Sequence, residues 1–152
     1  MKIEEIIKSN VTLDDTKKVI LNIMYTQIVI SEKFNELMKP YDLSSEQYNV
    51  LRILRGQKGK PANMSLIQER MIAKNSNTTR LIDKLLVKEL VTREVCPNNR
   101  RKMEILITAK GLALLTELDP KVIDYENLLA NNLSENELQN LNELLEKYRN
   151  FN

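Results

Sequence analysis

The chain has 152 residues, about one domain's worth, and its 42% hydrophobic and 29% charged content is that of a globular protein. No apolar run approaches the ~20 residues that cross a bilayer, the N-terminal MKIEEIIKSN lacks the apolar stretch of a signal peptide, and one cysteine excludes an internal disulfide framework, so a cytoplasmic protein without a membrane partner is expected. The net charge of +2 conceals a segregation: residues 43–110 hold 14 Lys/Arg against 6 Asp/Glu, net +8, and the flanks hold 9 against 15, net −6.

Residues 1–12 read as a short amphipathic arm. From about Asp14 to Met38 one long helix is predicted, because Ile20, Ile23, Gln27, Ile30, Phe34 and Leu37 recur at three- and four-residue spacing. Val19, Met24, Ile28, Val29 and Met38 widen that stripe. A helix apolar over so much of its circumference needs cover on more than one side, which a second copy of the chain supplies most naturally. Pro40 ends the helix. Leu43-Ser44-Ser45-Glu46-Gln47-Tyr48 is a start signal, with Ser44 as cap, Gln47 completing a capping box and Leu43 placed to staple onto Tyr48. This helix stops at Gly56. After a loop, Ser65-Leu66-Ile67-Gln68 repeats the capping-box spacing and starts a short helix to about Ile72. Residues 73–75 form a turn, and Ser76 caps a helix to about Glu89. Residues 90–95 and 103–107, rich in β-branched and apolar side chains, are expected as strands around a basic loop from Cys96 to Lys102. Thr108-Ala109-Lys110-Gly111 opens a further helix, in which Pro120 either makes a kink or marks the first turn of a new helix. Ser134 and Glu137 form a third capping box for the last helix.

Two helices joined by a tight turn and followed by a hairpin make a winged helix-turn-helix. The fold class expected is mainly α with a small β-hairpin wing, flanked by N- and C-terminal dimerisation helices. The boundaries are 1–42 for the N-terminal dimerisation arm and helix, 43–110 for the winged region and 111–152 for the C-terminal dimerisation helices. A basic middle between acidic ends suits a polyanion-facing module on a separate scaffold. In the helix after Ser76, Leu81, Ile82, Leu85 and Leu86 face inward, while Asn77, Arg80, Lys84 and Lys88 share the outward side. Its first turn, Ser76-Asn77-Thr78-Thr79-Arg80, holds short hydrogen-bonding side chains, and no acid occurs before Asp83. Such a turn offers amides and hydroxyls to phosphates while Asn77 and Arg80 reach base edges. Alone, the same pattern fits a solvated helix with Arg80 paired to Asp83. Coupling to the wing points to duplex DNA. Asn98-Asn99-Arg100-Arg101-Lys102 puts three cations at the hairpin tip, where long arginines suit a narrow minor groove and Lys102 and Arg100 suit phosphates.

These segments resemble the multiple-antibiotic-resistance regulator (MarR) family of winged-helix repressors. The matching residues are Leu43-Ser44-Ser45-Glu46-Gln47-Tyr48-Asn49-Val50-Leu51, Ser76-Asn77-Thr78-Thr79-Arg80-Leu81-Ile82-Asp83-Lys84-Leu85, Leu90-Val91-Thr92-Arg93, and Asn99-Arg100-Arg101 running to Ile107-Thr108-Ala109-Lys110-Gly111. The resemblance implies a homodimer whose outer helices interlock, with two winged lobes on a pseudo-palindromic operator in double-stranded DNA. It implies that Arg101 enters the minor groove. Most members carry aspartate where this chain has Asn99, and glycine where it has Glu89. A left-handed Glu89 would be strained.

The resemblance also implies release from DNA by a small aromatic or anionic effector bound between the dimer helices and the winged lobe. Tyr25, Met38, Tyr41, Tyr48 and Arg52 lie where such a pocket can form, although core and hinge packing is their more ordinary use. Cys96, at the junction of strand and wing beside the cations, invites a redox reading, but without a second cysteine its ordinary use is structural. Catalysis is not expected. With no histidine, one cysteine and three glycines, the familiar Ser-His, Cys-His, histidine-metal and phosphate-loop constellations are missing. Asp14-Asp15, Glu135 and Glu137 sit at helix starts, where capping accounts for them. No cofactor or metal is expected. The sequence reading is a homodimeric DNA-binding regulator, in the family's usual mode a ligand-released repressor. Its rival is a winged-helix protein-interaction module that does not bind DNA, which would leave the basic wing unexplained.

Overall fold

The structure, a computed structural model, describes residues 1–150. Two compact units follow one another along the chain, the first spanning Met1–Ser45 and the second beginning at Glu46. In the first, α1 (Ile3–Ile6) is joined to α2 (Asp15–Met38) by a Glu4–Lys18 ion pair of 2.8 Å. Asp14 caps α2 by accepting from the Lys17 amide at 2.9 Å, a bond that holds its carboxyl below the ordinary carboxylate range. The helix ends at Met38, and a short 3-10 turn, Lys39–Tyr41, carries Pro40. The predicted limits of the long helix stand. Its apolar stripe lies largely open to solvent: Ile20 is 46%, Met24 58% and Ile28 47% exposed.

The second unit holds α3 (Ser45–Gly56, whose first residue closes the first unit), α4 (Met64–Arg70), α5 (Thr78–Val87), β1 (Val91–Cys96), β2 (Asn99–Ile107), α6 (Ala109–Ala130) and α7 (Glu135–Tyr148). Mainly helical with one two-stranded hairpin, it has the expected winged helix-turn-helix order. Val50, Leu51, Leu54, Ile67, Met71, Ile82, Leu85, Ile105, Leu115 and Leu118 are almost wholly buried. Each such side chain contributes about 1.5–3 kcal/mol. Ala62, just before α4, exchanges two backbone hydrogen bonds with Ile105 of β2, at 2.9 and 2.8 Å, so the hairpin is fastened to the strand-like entry of α4.

Three boundaries differ from expectation. Asn63, not Ser65, caps α4, accepting from Leu66 N–H at 2.9 Å. Asn77, not Ser76, caps α5, accepting from Arg80 N–H at 3.1 Å. A capping side chain must sit on the non-helical residue from which it can reach the third helical amide; several polar residues in a row leave that choice to the backbone. The hairpin is also longer than the apolar residues suggest, since ladder bonds are made by backbone whatever the side chain. β2 begins at Asn99, and only Pro97 and Asn98 form the turn. Pro120, left between two alternatives by the sequence, lies inside a single helix, α6.

α5 ends in a tight corner. The Glu89 amide donates to Leu86 O at 2.9 Å and the Leu90 amide to Leu85 O at 3.0 Å, with Leu85 and Leu90 both buried. This is the Schellman arrangement, which needs a left-handed residue at its centre. Glu89 supplies it at φ 58°, the conformation anticipated from the glycine at this place in related sequences. Glu89→Gly should therefore raise unfolding stability by about 0.5–1 kcal/mol, as a higher urea midpoint at unchanged slope. An unchanged or lower midpoint would show that the corner carries no strain.

Candidate nucleic-acid interface

The helix-turn-helix is built from α4, the loop 71–77 and α5. Met71 leaves α4 in extended conformation and is buried. The loop is held from inside by Gln68. Its amide donates to the Lys74 carbonyl and its carbonyl accepts from the Thr78 hydroxyl. The Lys74 ammonium in turn donates to the Glu69 carbonyl. Thr78 is only 5% exposed, so its hydroxyl joins two helices instead of facing outward. Ser76 is half-buried, while Asn77, Thr79, Arg80 and Lys84 are exposed. Met64, Ser65, Gln68, Ser76, Asn77 and Thr79, with Thr78, line a polar depression of about 390 Å³ where the first turns of α4 and α5 meet.

Asp83 is the acid on the outward side of α5. It does not pair with Arg80; it accepts from Arg93 of β1 at 2.7 Å. That pair neutralises Asp83, links the hairpin to α5 and leaves the Arg80 guanidinium outside every ion pair among the described residues. Lys88 is turned aside from the outward row and donates to Gln47 of α3 at 3.3 Å.

The wing owes its form to a break in register. Val95 faces Met103, yet the next residue, Cys96, faces Asn99. Arg100, Arg101 and Lys102 therefore have no partner across the ladder and bulge from it. A bulge twists a strand and re-aims its side chains, here three adjacent cations, all exposed. Asn99 Oδ1 accepts from the Arg101 amide at 3.0 Å and braces the bulge. The brace is thus made by a neutral amide at the position where the resemblance implies an aspartate. Cys96, free and half-buried, lies beside the break.

A second feature lies between α3 and α6. Arg55 meets Asp119 through two hydrogen bonds, of 2.8 and 2.9 Å. The bond to Arg55 holds the Asp119 carboxyl below the ordinary range and raises Arg55 above its own. Beside this pair a groove of about 310 Å³ is lined by Tyr48, Arg52, Val122, Ile123 and Glu126. Burial pushes the Tyr48 phenol up. Of the five residues expected to form an effector pocket, Tyr48 and Arg52 line this groove; Tyr25, Met38 and Tyr41 belong to the first unit, where Met38 is buried and Tyr25 is 40% exposed. The α6 wall was not anticipated, because the three-and-four spacing of Leu115, Leu118 and Val122 marks a buried face of α6 but not the element that the face meets. Among the described residues no group of three or more His, Cys, Asp or Glu side chains could hold a metal ion, and no helix is long and apolar enough to cross a membrane.

The family model of the MarR family matches residues 43–103, from the start of α3 through the bulge. A MarR transcription factor from Planctomyces limnophilus is 31% identical, covering 90% of this chain and 98% of its own, with a TM-score of 0.70. The chain belongs to the MarR family. Membership places it among transcriptional regulators, not enzymes. The regulator MhqR of Bacillus subtilis is 27% identical over 118 residues, 78% of this chain and 80% of its own length. A mutant MarR from E. coli, solved in complex with operator DNA, shares the fold at TM-score 0.75, with 24% identity over 90% of this chain and 99% of its own. Within the MarR match lie the Asn77 cap, Arg80, the Asp83–Arg93 pair and the bulge at Arg100–Lys102.

Proposed function

We propose that this MarR-family chain is a homodimeric, cytoplasmic, sequence-specific DNA-binding repressor. α5 lies in the major groove, with Arg80 and Thr79 towards base edges; Asn77, expected at a base edge, has its side-chain carbonyl committed to the cap and lies with Ser76 and Lys84 towards the backbone. Arg101 enters the adjacent minor groove, and Arg100 and Lys102 meet phosphates. The observation that carries the reading is the bulge, which holds three adjacent exposed cations on a hairpin tied to α5 by Arg93 and Asp83. Homodimerisation is supported by the uncovered apolar residues of α2 and by Leu112, Ile123, Leu128, Leu141 and Leu144 of α6 and α7, all open to solvent. Large apolar side chains left open on several helices ordinarily mark an interface.

The domain reading that goes with it assigns residues 1–42 and 111–152 to the dimer and 43–110 to DNA. Release by a small aromatic or anionic ligand is supported by the groove between α3 and α6, which sets an exposed Arg52 beside Tyr48, Val122 and Ile123. Such a groove offers apolar cover and one orienting charge.

Genomic footprinting tests the reading. Protection of inverted repeats with half-sites about one helical turn apart supports it; no protected duplex anywhere would leave a winged-helix module that does not bind DNA. A chain sedimenting as a monomer at micromolar concentration would remove the dimer. On any bound operator, Lys102→Ala should weaken all sequences alike and reduce the salt slope of binding by about one. A sequence-dependent loss would place Lys102 at a base instead of a phosphate.

A further inference from the structure

The Gln68 amide bonds at both its ends inside the helix-turn-helix. It gives its N–H to the carbonyl of Lys74 in the turn and takes the hydroxyl of Thr78 at the first position of α5. Thr78 is flanked by the Asn77 cap and by Thr79 and Arg80, all of which are exposed. Fixing Thr78 fixes the rotation of that turn about the α5 axis. Neighbouring helical side chains lie about 100° apart at 3.6 residues per turn, so a turn pinned at Thr78 has one way of presenting Thr79 and Arg80.

We propose that Gln68 is a positioning residue for sequence reading: through Thr78 it holds the first turn of α5 in the one orientation that meets base edges. This rests on the DNA-binding reading above. Without the clamp, α5 still folds, because its core residues Ile82 and Leu85 are untouched, but its first turn samples several orientations. Apparent affinity for the correct site falls with the fraction of molecules in the competent orientation. Non-specific binding does not fall in this way, since it depends on cations whose reach to phosphates tolerates small rotations.

Duplex affinity is measured for the wild type, Gln68→Ala, Thr78→Val and the double variant, on the protected operator and on a scrambled duplex of the same length, over a salt series. Gln68→Ala should lower operator affinity roughly tenfold, the scale of one buried hydrogen-bond group left unmatched, with scrambled-duplex affinity and salt slope unchanged. Thr78→Val keeps the shape and should reproduce that loss, the double variant should lose no more than either single one, and Thr78→Ser should restore wild-type specificity. Equal losses on operator and scrambled duplex, or additive losses in the double variant, would overturn the proposal by making Gln68 a general stabiliser or an independent contact. Unchanged operator affinity in Gln68→Ala would overturn it as well. A wild type that binds no duplex would instead refute the DNA-binding reading itself. If Gln68→Ala fails to fold by circular dichroism, Thr78→Val against Thr78→Ser decides by the same operator-to-scrambled ratio.

Discussion

Replacing Arg101 by alanine should remove most of the operator affinity, by about 5–150-fold for the roughly 1–3 kcal/mol of one well-placed groove contact, while the fold and the state of association stay unchanged. The size of the effect follows from how the residue is held. Arg101 is the middle one of three residues that the ladder between Cys96 and Met103 leaves without partners. Its amide is bonded to Asn99 Oδ1, so the backbone that carries it is braced before any DNA arrives, and little ordering remains to oppose binding. Its guanidinium forms no ion pair among the described residues, so no described carboxylate holds it back from a phosphate-lined groove. Arg101→Lys should recover only part of the loss, because a strongly hydrated ammonium gives up its water less readily on entering a narrow groove. Gel shift against sizing chromatography separates binding from assembly. An unchanged dissociation constant for Arg101→Ala would remove the wing from the interface and leave α5 as the whole of it.

Gly111→Ala should destabilise the protein by about 2 kcal/mol, although alanine is the better helix former by about 1 kcal/mol. The sign is therefore diagnostic. Gly111 lies in the first turn of α6, where the chain presses against the corner between α5 and β1. A Cβ there would stand 2.4 Å from the Leu90 carbonyl oxygen and 2.7 Å from Ile107 Cγ1. The first of these is backbone, and it cannot simply swing away: Leu90 O accepts from the Thr108 amide at 3.0 Å, and the Thr108 hydroxyl donates to Glu89 O at 2.8 Å while capping Gly111 N at 3.0 Å. Relieving the clash means lifting α6 from the hairpin or disturbing the Glu89 corner that ends α5. Thermal unfolding should show a midpoint lower by roughly 4–8 °C for a chain of this size. A raised midpoint would mean that the propensity gain prevails and that the approach is looser than the geometry states.

Much of the molecule was legible in local pattern. The three-and-four spacing from Ile20 to Leu37 marked α2, and Asp14 and Pro40 bounded it. The order of helix, turn, helix and hairpin carried the fold class and the resemblance to MarR regulators, and the glycine missing at Glu89 announced a left-handed residue. The caps were located less well. Asn63 and Asn77 lie close to Ser65 and Ser76, and pattern alone does not say which polar residue takes the non-helical backbone of the cap.

The sequence by itself determined which segments are helix or strand, where the positive charge concentrates and which family the chain resembles, because periodicity, capping chemistry and charge act over a few residues. The tertiary structure alone decided how those pieces constrain one another. Gln68 reads as half of a capping box and proves to be a clamp on Thr78, ten residues away. Asp83 reads as a partner for Arg80 and is taken by Arg93 on β1, which leaves Arg80 outward. Arg55 and Asp119, 64 positions apart, wall a groove that neither helix announces. The wing cations read as a loop and prove to be a bulge, since register depends on which backbone groups of two strands meet. In each case a short polar or charged side chain had several partners within reach of the local pattern, and only the packing of distant elements left it one.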